Sequence, residues 1–335
     1  MTVIARRLAG HLARGFAMIL VVTTISFVII RSIPGDPMRA RYEKLVEQGM
    51  SPDQAERATA ALYGFMPKGT LWEQYADYMR GLLHLDLGQS LSVPGAEVTT
   101  LLASAATWTI LPVLVGTLLS FAVGIIMGVY AAIKRSSKLG DVLAVSGSLL
   151  HGLPQYVLAL LLSAVFTTLL PIFPTGGTAD VTLEPGLNAA YIGSLIQYAT
   201  MPVLTYALAG YGGWILAMKS SVVTVLGDDF IMAAELRGLK RGLIFRYVAR
   251  NAILPLFTIL ALSLGLLFGG AIFIERIFTY PGLGLLLLNS ITDRDYTLMG
   301  GAFLLITVAI VIANIVADML YTAIDPRVRS GQEAS

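Results

Sequence analysis

Long apolar stretches separated by polar interruptions dominate the chain. A helix needs about 20 mostly apolar residues to cross a bilayer. Six stretches meet that length: residues 10–31, 106–133, 142–170, 197–218, 252–274 and 302–323. The pattern predicts an all-α integral membrane protein with six transmembrane helices. Its flanks orient it, because short loops rich in Lys and Arg stay in the cytoplasm. Arg6, Arg7 and Arg14 mark the start of the first stretch, and Lys134, Arg135 and Lys138 separate the second from the third. Lys219, Arg237, Lys240, Arg241, Arg246 and Arg250 lie between the fourth and fifth, and Arg327 and Arg329 follow the sixth. The loop 171–196 holds no Lys or Arg, only Asp180 and Glu184. Both termini are therefore expected in the cytoplasm.

Four regions follow: a first transmembrane helix at 1–31, an external helical insertion at 32–105, a five-helix core at 106–323 with a cytoplasmic loop at 219–251, and a cytoplasmic tail at 324–335. The insertion carries basic residues, yet long segments translocate largely regardless of charge. Within it, Ser51-Pro52-Asp53-Gln54 and Thr70-Leu71-Trp72-Glu73 read as helix starts, each a hydroxyl N-cap with a side chain at N3 returning the bond. Trp72, Tyr75, Tyr78, Met79 and Leu82 then share one helical face. That face suits packing on the membrane surface or on a neighbouring span, and also suits a lip around an opening for cargo.

Composition supports the bilayer reading. Only 13% of the 335 residues are charged and 56% are hydrophobic, with a mean hydropathy of +0.75. Soluble domains carry roughly 25% charged residues. A net charge of +2 leaves no electrostatic footprint for nucleic acid. With no cysteine, disulfides, thiolate metal sites and a cysteine nucleophile are excluded. The N-terminal arginines before an apolar run resemble a signal peptide, but Arg31 and Pro34-Gly35-Asp36-Pro37 follow in place of a small-residue cleavage site, so an uncleaved span is expected.

Chemistry-bearing motifs are sparse. His11, His84 and His151 have no ligand spacing, and neither a phosphate loop nor a dinucleotide fingerprint occurs. The chain is expected to bind no cofactor of its own. Asp318, one turn after Asn314 in the sixth stretch, suits a structural hydrogen bond or an ion relay. His151, Gly152, Pro154 and Gln155 interrupt the third stretch, and Tyr206, Tyr211 and Trp214 decorate the fourth. Of these, His151, Gln155, Tyr206 and Tyr211 are candidates to line a conduit, or to act as interhelical contacts.

The sharpest interruption is "DDFIMAAELRGLKRGLIFRYVARNAILPLF" from Asp228 to Phe257. Asp228 or Asp229 suits an N-cap, the next residues favour helix, and Gly238 suits a left-handed stop. Two turns are marginal alone. The segment therefore either rests on the inner leaflet or docks in a partner's groove, with Ala233, Ala234 and Gly238 permitting close approach.

An Ala-Ala block, a glycine and then Ile-Leu-Pro resemble the EAA loop of ABC importer permeases. "IPGDP" at 33–37, "DLGQS" at 86–90, "YPGLG" at 280–284, "DRDY" at 293–296 and "DPRVR" at 325–329 extend the resemblance along essentially the whole chain. Together they resemble the first permease of the dipeptide, oligopeptide and nickel importers, a type I ABC importer fold. Three departures stand out: Met232 occupies the loop's namesake glutamate position, Glu235 stands where a basic residue is more usual, and the spacing from Gly238 to Pro255 is one residue shorter than the usual form.

The resemblance implies a machine of two paired permeases, two cytoplasmic ATPases that bind ATP and Mg, and a solute-binding protein, seated in a bacterial inner membrane. It implies coupling to the ATPase through Asp228, Asp229, Phe230, Ala233, Ala234, Glu235, Arg237 and Gly238, with Lys240 and Arg241 as peripheral contacts. Pro281, Gly282 and Gly284 are expected to shape an external re-entrant turn near the outer gate. Glu275 and Asp295 either meet the binding protein or cap local helices. Peptides are the implied cargo, with nickel chelates, glutathione and oligosaccharides as alternatives. An ion-coupled secondary transporter would want a midplane ionisable cluster and inverted repeats, and a membrane hydrolase a nucleophile–base pair; the sequence offers neither.

Overall fold

A computed structural model describes residues 3–32, 37–63, 70–134 and 136–324. Thirteen helices are assigned over them. They are α1 (Val3–Ser32), α2 (Pro37–Glu47), α3 (Pro52–Tyr63), α4 (Leu71–Leu83), α5 (Val98–Ile133), α6 (Lys138–Gly152) and α7 (Gln155–Ser163), the last continued by a π-helical turn, Ala164–Leu169. Then come α8 (Ala189–Leu226), α9 (Asp229–Leu236), α10 (Arg241–Ala252), α11 (Leu254–Ile277), α12 (Leu283–Thr292) and α13 (Tyr296–Ile324). Among the described residues five helical stretches are long and apolar enough to cross a membrane, and six if the bent α6–α7 pair is one span.

The predicted third span, 142–170, is not a straight rod: α6 and the arm from Gln155 to Leu169 meet at 101°. Pro154 causes the break. It has no N–H to continue α6, and it holds Leu153 extended at φ −82°, ψ 127°. Spans two and four outrun their predicted edges. At 1.5 Å per residue α5 is about 54 Å long and α8 about 57 Å, well beyond a hydrocarbon core of about 30 Å. Their ends are less apolar than their centres, so hydropathy alone cut them short.

The chain divides into two compact units. The first comprises Met1–Thr109 and Pro281–Val311, the second Ile110–Tyr280 and Ile312–Ser335. In the first, the predicted capping boxes form. The Gln54 amide donates to Ser51 Oγ at 3.4 Å and the Ser51 amide to Gln54 Oε1 at 3.3 Å. At α4 the Thr70 amide donates to Glu73 Oε2 at 2.6 Å, and the Glu73 amide returns to Thr70 Oγ1. The Thr70 amide first, and then the Thr70 hydroxyl donating to the same Oε2 at 3.1 Å, hold the Glu73 carboxyl below its ordinary range. The aromatic face of α4 packs on the first span. Phe27 lies 5.3 Å from Tyr75 and 5.5 Å from Tyr78, and the Tyr75 hydroxyl meets Thr24 Oγ1 at 2.8 Å.

In the second unit, α5 and α8 run parallel in close register. Gly116, Ser120, Gly124 and Gly128 stand at every fourth residue, facing Tyr206, Gly210, Trp214 and Met218 at the same interval. A Cβ at Gly116 would lie 2.5 Å from that of Tyr206, and one at Gly128 2.7 Å from that of Met218. Small residues at this spacing let helix backbones approach and gain dispersion contacts in a solvent that offers no hydrophobic drive. On another side of α8, Gly212 lies against the backbone of α6 at Gly147.

Candidate functional site

The charged interruption builds as predicted in outline. Asp228 takes the N-cap position of α9 at φ −73°, ψ 143°, but its side chain makes no capping bond. Its carbonyl alone receives the Ile231 and Met232 amides. The far end closes as a Schellman motif. Gly238 sits at φ +68°, its amide donates to the Glu235 carbonyl at 2.9 Å, and the Leu239 amide reaches the Ala234 carbonyl at 3.2 Å.

Eight residues of helix need tertiary support. Ile231 and Ala234 supply it, packing into a core with Val222 and Val225 of α8 and Ile244 and Val248 of α10. Full burial of one such aliphatic side chain is worth about 1.5–3 kcal/mol. Ser221 reinforces the frame by donating to the Ala252 carbonyl at 2.7 Å, where α10 gives way to the proline-bearing start of α11. This corrects one sequence expectation. The sequence pattern offers Ala234 to a partner as a small residue, but only 7% of it is exposed and it belongs to the chain's own core.

What α9 leaves outside is apolar at its centre. Phe230 is 44% exposed, Met232 60% and Leu236 84%. Asp228 and Asp229 flank this patch at the positive end of the helix, with Ala233, Glu235, Arg237, Gly238, Lys240 and Arg241 also exposed. Acids precede the patch and cations follow it, the arrangement the helix dipole favours.

The turn expected near the outer gate leads into α12. Pro281 is exposed while Gly282 and Gly284 are buried. Gly282 holds the N-cap position of α12, and the Leu283 amide donates to Thr109 Oγ1 at 2.8 Å. At about 15 Å, α12 is too short to cross a bilayer. The Tyr280 amide donates to the Glu275 carbonyl at 2.8 Å, and burial, with the Glu275 carboxylate second, pushes the Tyr280 phenol up to about 12. Asp295 proves to be a helix cap and more. It is fully buried and accepts five hydrogen bonds, one from the Leu298 amide of α13 and four from Ser90, Leu91 and Ser92.

The conduit candidates separate. His151 is exposed at the α6–α7 corner, its ring lying over Gly213 of α8, and Gln155 and Tyr211 are half-buried. Tyr206 is a correction: only 3% of it is exposed, and it packs in a core with Val113, Leu158 and Ala271, so its ring has no free surface to offer a passage. Asp318 falls on α13, but its side chain lies outside the described residues, as do residues 33–36 of "IPGDP" and all of "DPRVR". Sequence reading missed the small-residue ridge on α5, although a Gly or Ser at every fourth position from 116 to 128 was its visible signal. It also missed Thr109 as the partner of the Leu283 amide, and Ser90 and Ser92 as partners of Asp295, pairings that no local spacing announces.

Residues 124–330, more than half of the chain, match the family model of the binding-protein-dependent transport system inner membrane component. The chain belongs to this family. Among its relatives, the oligopeptide transport system permease protein AppB of Bacillus subtilis is 31% identical, over 93% of this chain and 95% of its own. The dipeptide transport system permease protein DppB of Escherichia coli is 30% identical over 92% and 94%. The nickel import system permease protein NikB of Staphylococcus aureus is 29% identical over 97% and 92%. This permease is thus a multi-pass membrane subunit of an ABC importer, a transport component. Its departure from the loop's usual pattern at Met232 falls on the exposed centre of α9.

Proposed function

We propose that this permease forms, with a second similar permease, the passage through which di- and oligopeptides delivered by a solute-binding protein enter the cell. Two cytoplasmic ATPases drive it, holding ATP and Mg, and both chain termini lie on their side of a bacterial inner membrane. The exposed apolar centre of α9 carries this reading. Phe230, Met232 and Leu236 are too exposed for a fold element that ends at water, and they suit a groove on a partner. That groove is apolar at its floor, basic where it meets Asp228, Asp229 and Glu235, and acidic where it meets Arg237, Lys240 and Arg241. Closure of the ATPases around ATP carries the paired α9 helices together, and the helices packed on them shift as rigid bodies. Pro281, Gly282 and Gly284 shape the outer gate. His151, Gln155 and Tyr211 line the passage.

Peptide cargo rests on the AppB and DppB likenesses, and NikB favours a second reading in which the same machine imports nickel chelates. Reconstituting the permease with its genomic neighbours and measuring ATP-driven uptake of a peptide panel against nickel–histidine tests both. Uptake of peptides alone is the expected result. Uptake sensitive to uncouplers and indifferent to ATP would overturn the reading.

A further inference from the structure

We propose that Asp295 is a brace that locks the outer ends of α5 and α13 into one body, which stays closed throughout the transport cycle. The proposal rests on the importer reading above. One carboxylate oxygen, Oδ2, takes four donors: Ser90 Oγ at 2.5 Å, Ser92 Oγ at 2.9 Å, and the amides of Leu91 at 2.9 Å and Ser92 at 3.0 Å. The other, Oδ1, takes the Leu298 amide at 2.9 Å and so caps α13. Five donors converge on this one buried side chain, and a buried polar atom that loses its partner costs its full desolvation penalty, so the joint resists opening at any one bond.

The loop gripped by Asp295 is closed on itself and leads straight into α5. The Ser90 amide donates to the Ala96 carbonyl at 2.9 Å and the Val98 amide to the Gly88 carbonyl at 3.0 Å, with an isolated bridge between Gln89 and Glu97. Whatever holds residues 90–92 therefore holds the first turn of α5. A second, independent contact lies one turn further along α13. A Cβ at Gly301 would stand 2.7 Å from Val98 Cγ1 and 3.0 Å from Leu102 Cδ1, so these two α5 side chains pack directly on the α13 backbone and leave no room for one from position 301. Leu91, Tyr296 and Met299 close the inner side of the joint. A pair joined this way transmits a displacement of one helix to the other undiminished. Asp295 acts as a positioning residue and touches no cargo.

The test uses the complete importer in liposomes, with its ATPases and binding protein, and reads ATP hydrolysed per peptide imported. Asp295→Asn puts an amide NH2 where the site needs acceptors. It is expected to raise that ratio at least tenfold while the ATPases remain bound to the permease. Ser92→Ala, which removes one donor and leaves the carboxylate in place, is expected to raise it severalfold and covers the case in which Asp295→Asn does not assemble. A ratio unchanged in Ser92→Ala and in any assembled Asp295→Asn would overturn the brace.

The cysteine-free chain allows a second arm. A Cβ at Gly88 would lie 3.2 Å from Thr297 Cγ2, near where the sulfur of a cysteine at 297 would stand, so Gly88→Cys/Thr297→Cys brings two thiols within reach; the reduced form controls for the strain of a side chain at φ +77°. Oxidised and reduced forms should import at the same rate, since a permanently closed joint loses nothing by being stapled. Arrest on oxidation and recovery on reduction would show that the joint opens, and would overturn the proposal. The wild-type importer run alongside tests the parent reading separately: no ATP-driven uptake there counts against the importer assignment and leaves the brace to the disulfide arm, read as ATPase stimulation by the binding protein.

Discussion

The Leu239 amide donates to the Ala234 carbonyl at 3.2 Å, and this bond exists because Gly238 between them is left-handed at φ +68°. The one bond ends α9, turns the chain toward α10 and seats Leu239 against the core that holds Ile231. A side chain at Gly238 would meet no neighbour, so the constraint is purely conformational. Gly238→Ala should cost about 1–2 kcal/mol, and Gly238→Asn, better tolerated in this conformation, less. Thermal melting of the purified permease should rank them wild type, Asn, Ala, with ATPase retention falling in the same order.

The two faces of α9 should fail differently. Ile231→Ala empties a fully buried position and should destabilise the permease by about 2–5 kcal/mol. Leu236→Ser, at a site 84% exposed, should leave melting unchanged and weaken ATPase co-purification at least tenfold. If Leu236→Ser binds the ATPases normally, α9 is not the docking element.

The α5–α8 contact allows no added volume. Gly128→Leu forces a branched side chain into space already filled by Met218, and should give an aggregated or unassembled permease on size-exclusion chromatography. Gly152→Leu, on α6 with nothing within 4 Å, is the matched control and should elute as wild type.

Much of this was legible from local chemistry. Ser51, Thr70 and Gly238 announce their roles because a cap or a left-handed stop is decided within a few residues of sequence. The apolar runs announce spans because a bilayer demands length. What stayed hidden depends on distance along the chain. Nothing near Asp295 tells of Ser90, some two hundred positions earlier, and nothing near Ala234 tells that α8 and α10 will cover it. Pro154 was visible as an interruption, yet the 101° turn it permits depends on α8 holding both arms. Three helices also end on left-handed residues that no propensity rule would choose: Leu85, Thr279 and Arg294 stand where Gly238 stands in α9.

Leu85 offers a clean test of that last observation. It is held at φ 58° with 82% of its surface exposed, and the Asp86 amide behind it reaches the Gly81 carbonyl at 2.9 Å. Leu85→Gly should therefore raise the permease's stability in detergent by about 1 kcal/mol. A drop in melting temperature would mean that the leucine side chain has a packing role.

Acid should loosen the first turn of α4. Glu73 has a carboxyl pKa depressed below 4.5 by its bonds to Thr70, so its contribution is present above the unfolded value and fades as pH falls through the folded one. Hydrogen exchange of the α4 amides, compared between wild type and Glu73→Gln at matched pH, should be faster in the variant at pH 6. The two should converge as pH falls through the lowered pKa of Glu73.

The ridge on α5 has a mechanical corollary. Two rods glued along a face resist bending far more than either does alone, and from Gly116 to Gly128 the α5–α8 pair is such a laminate. The chain leaves α8 at Gly227 and enters α9 two residues later. A load borne by Phe230 or Leu236 is therefore delivered across a two-residue joint straight into that laminate.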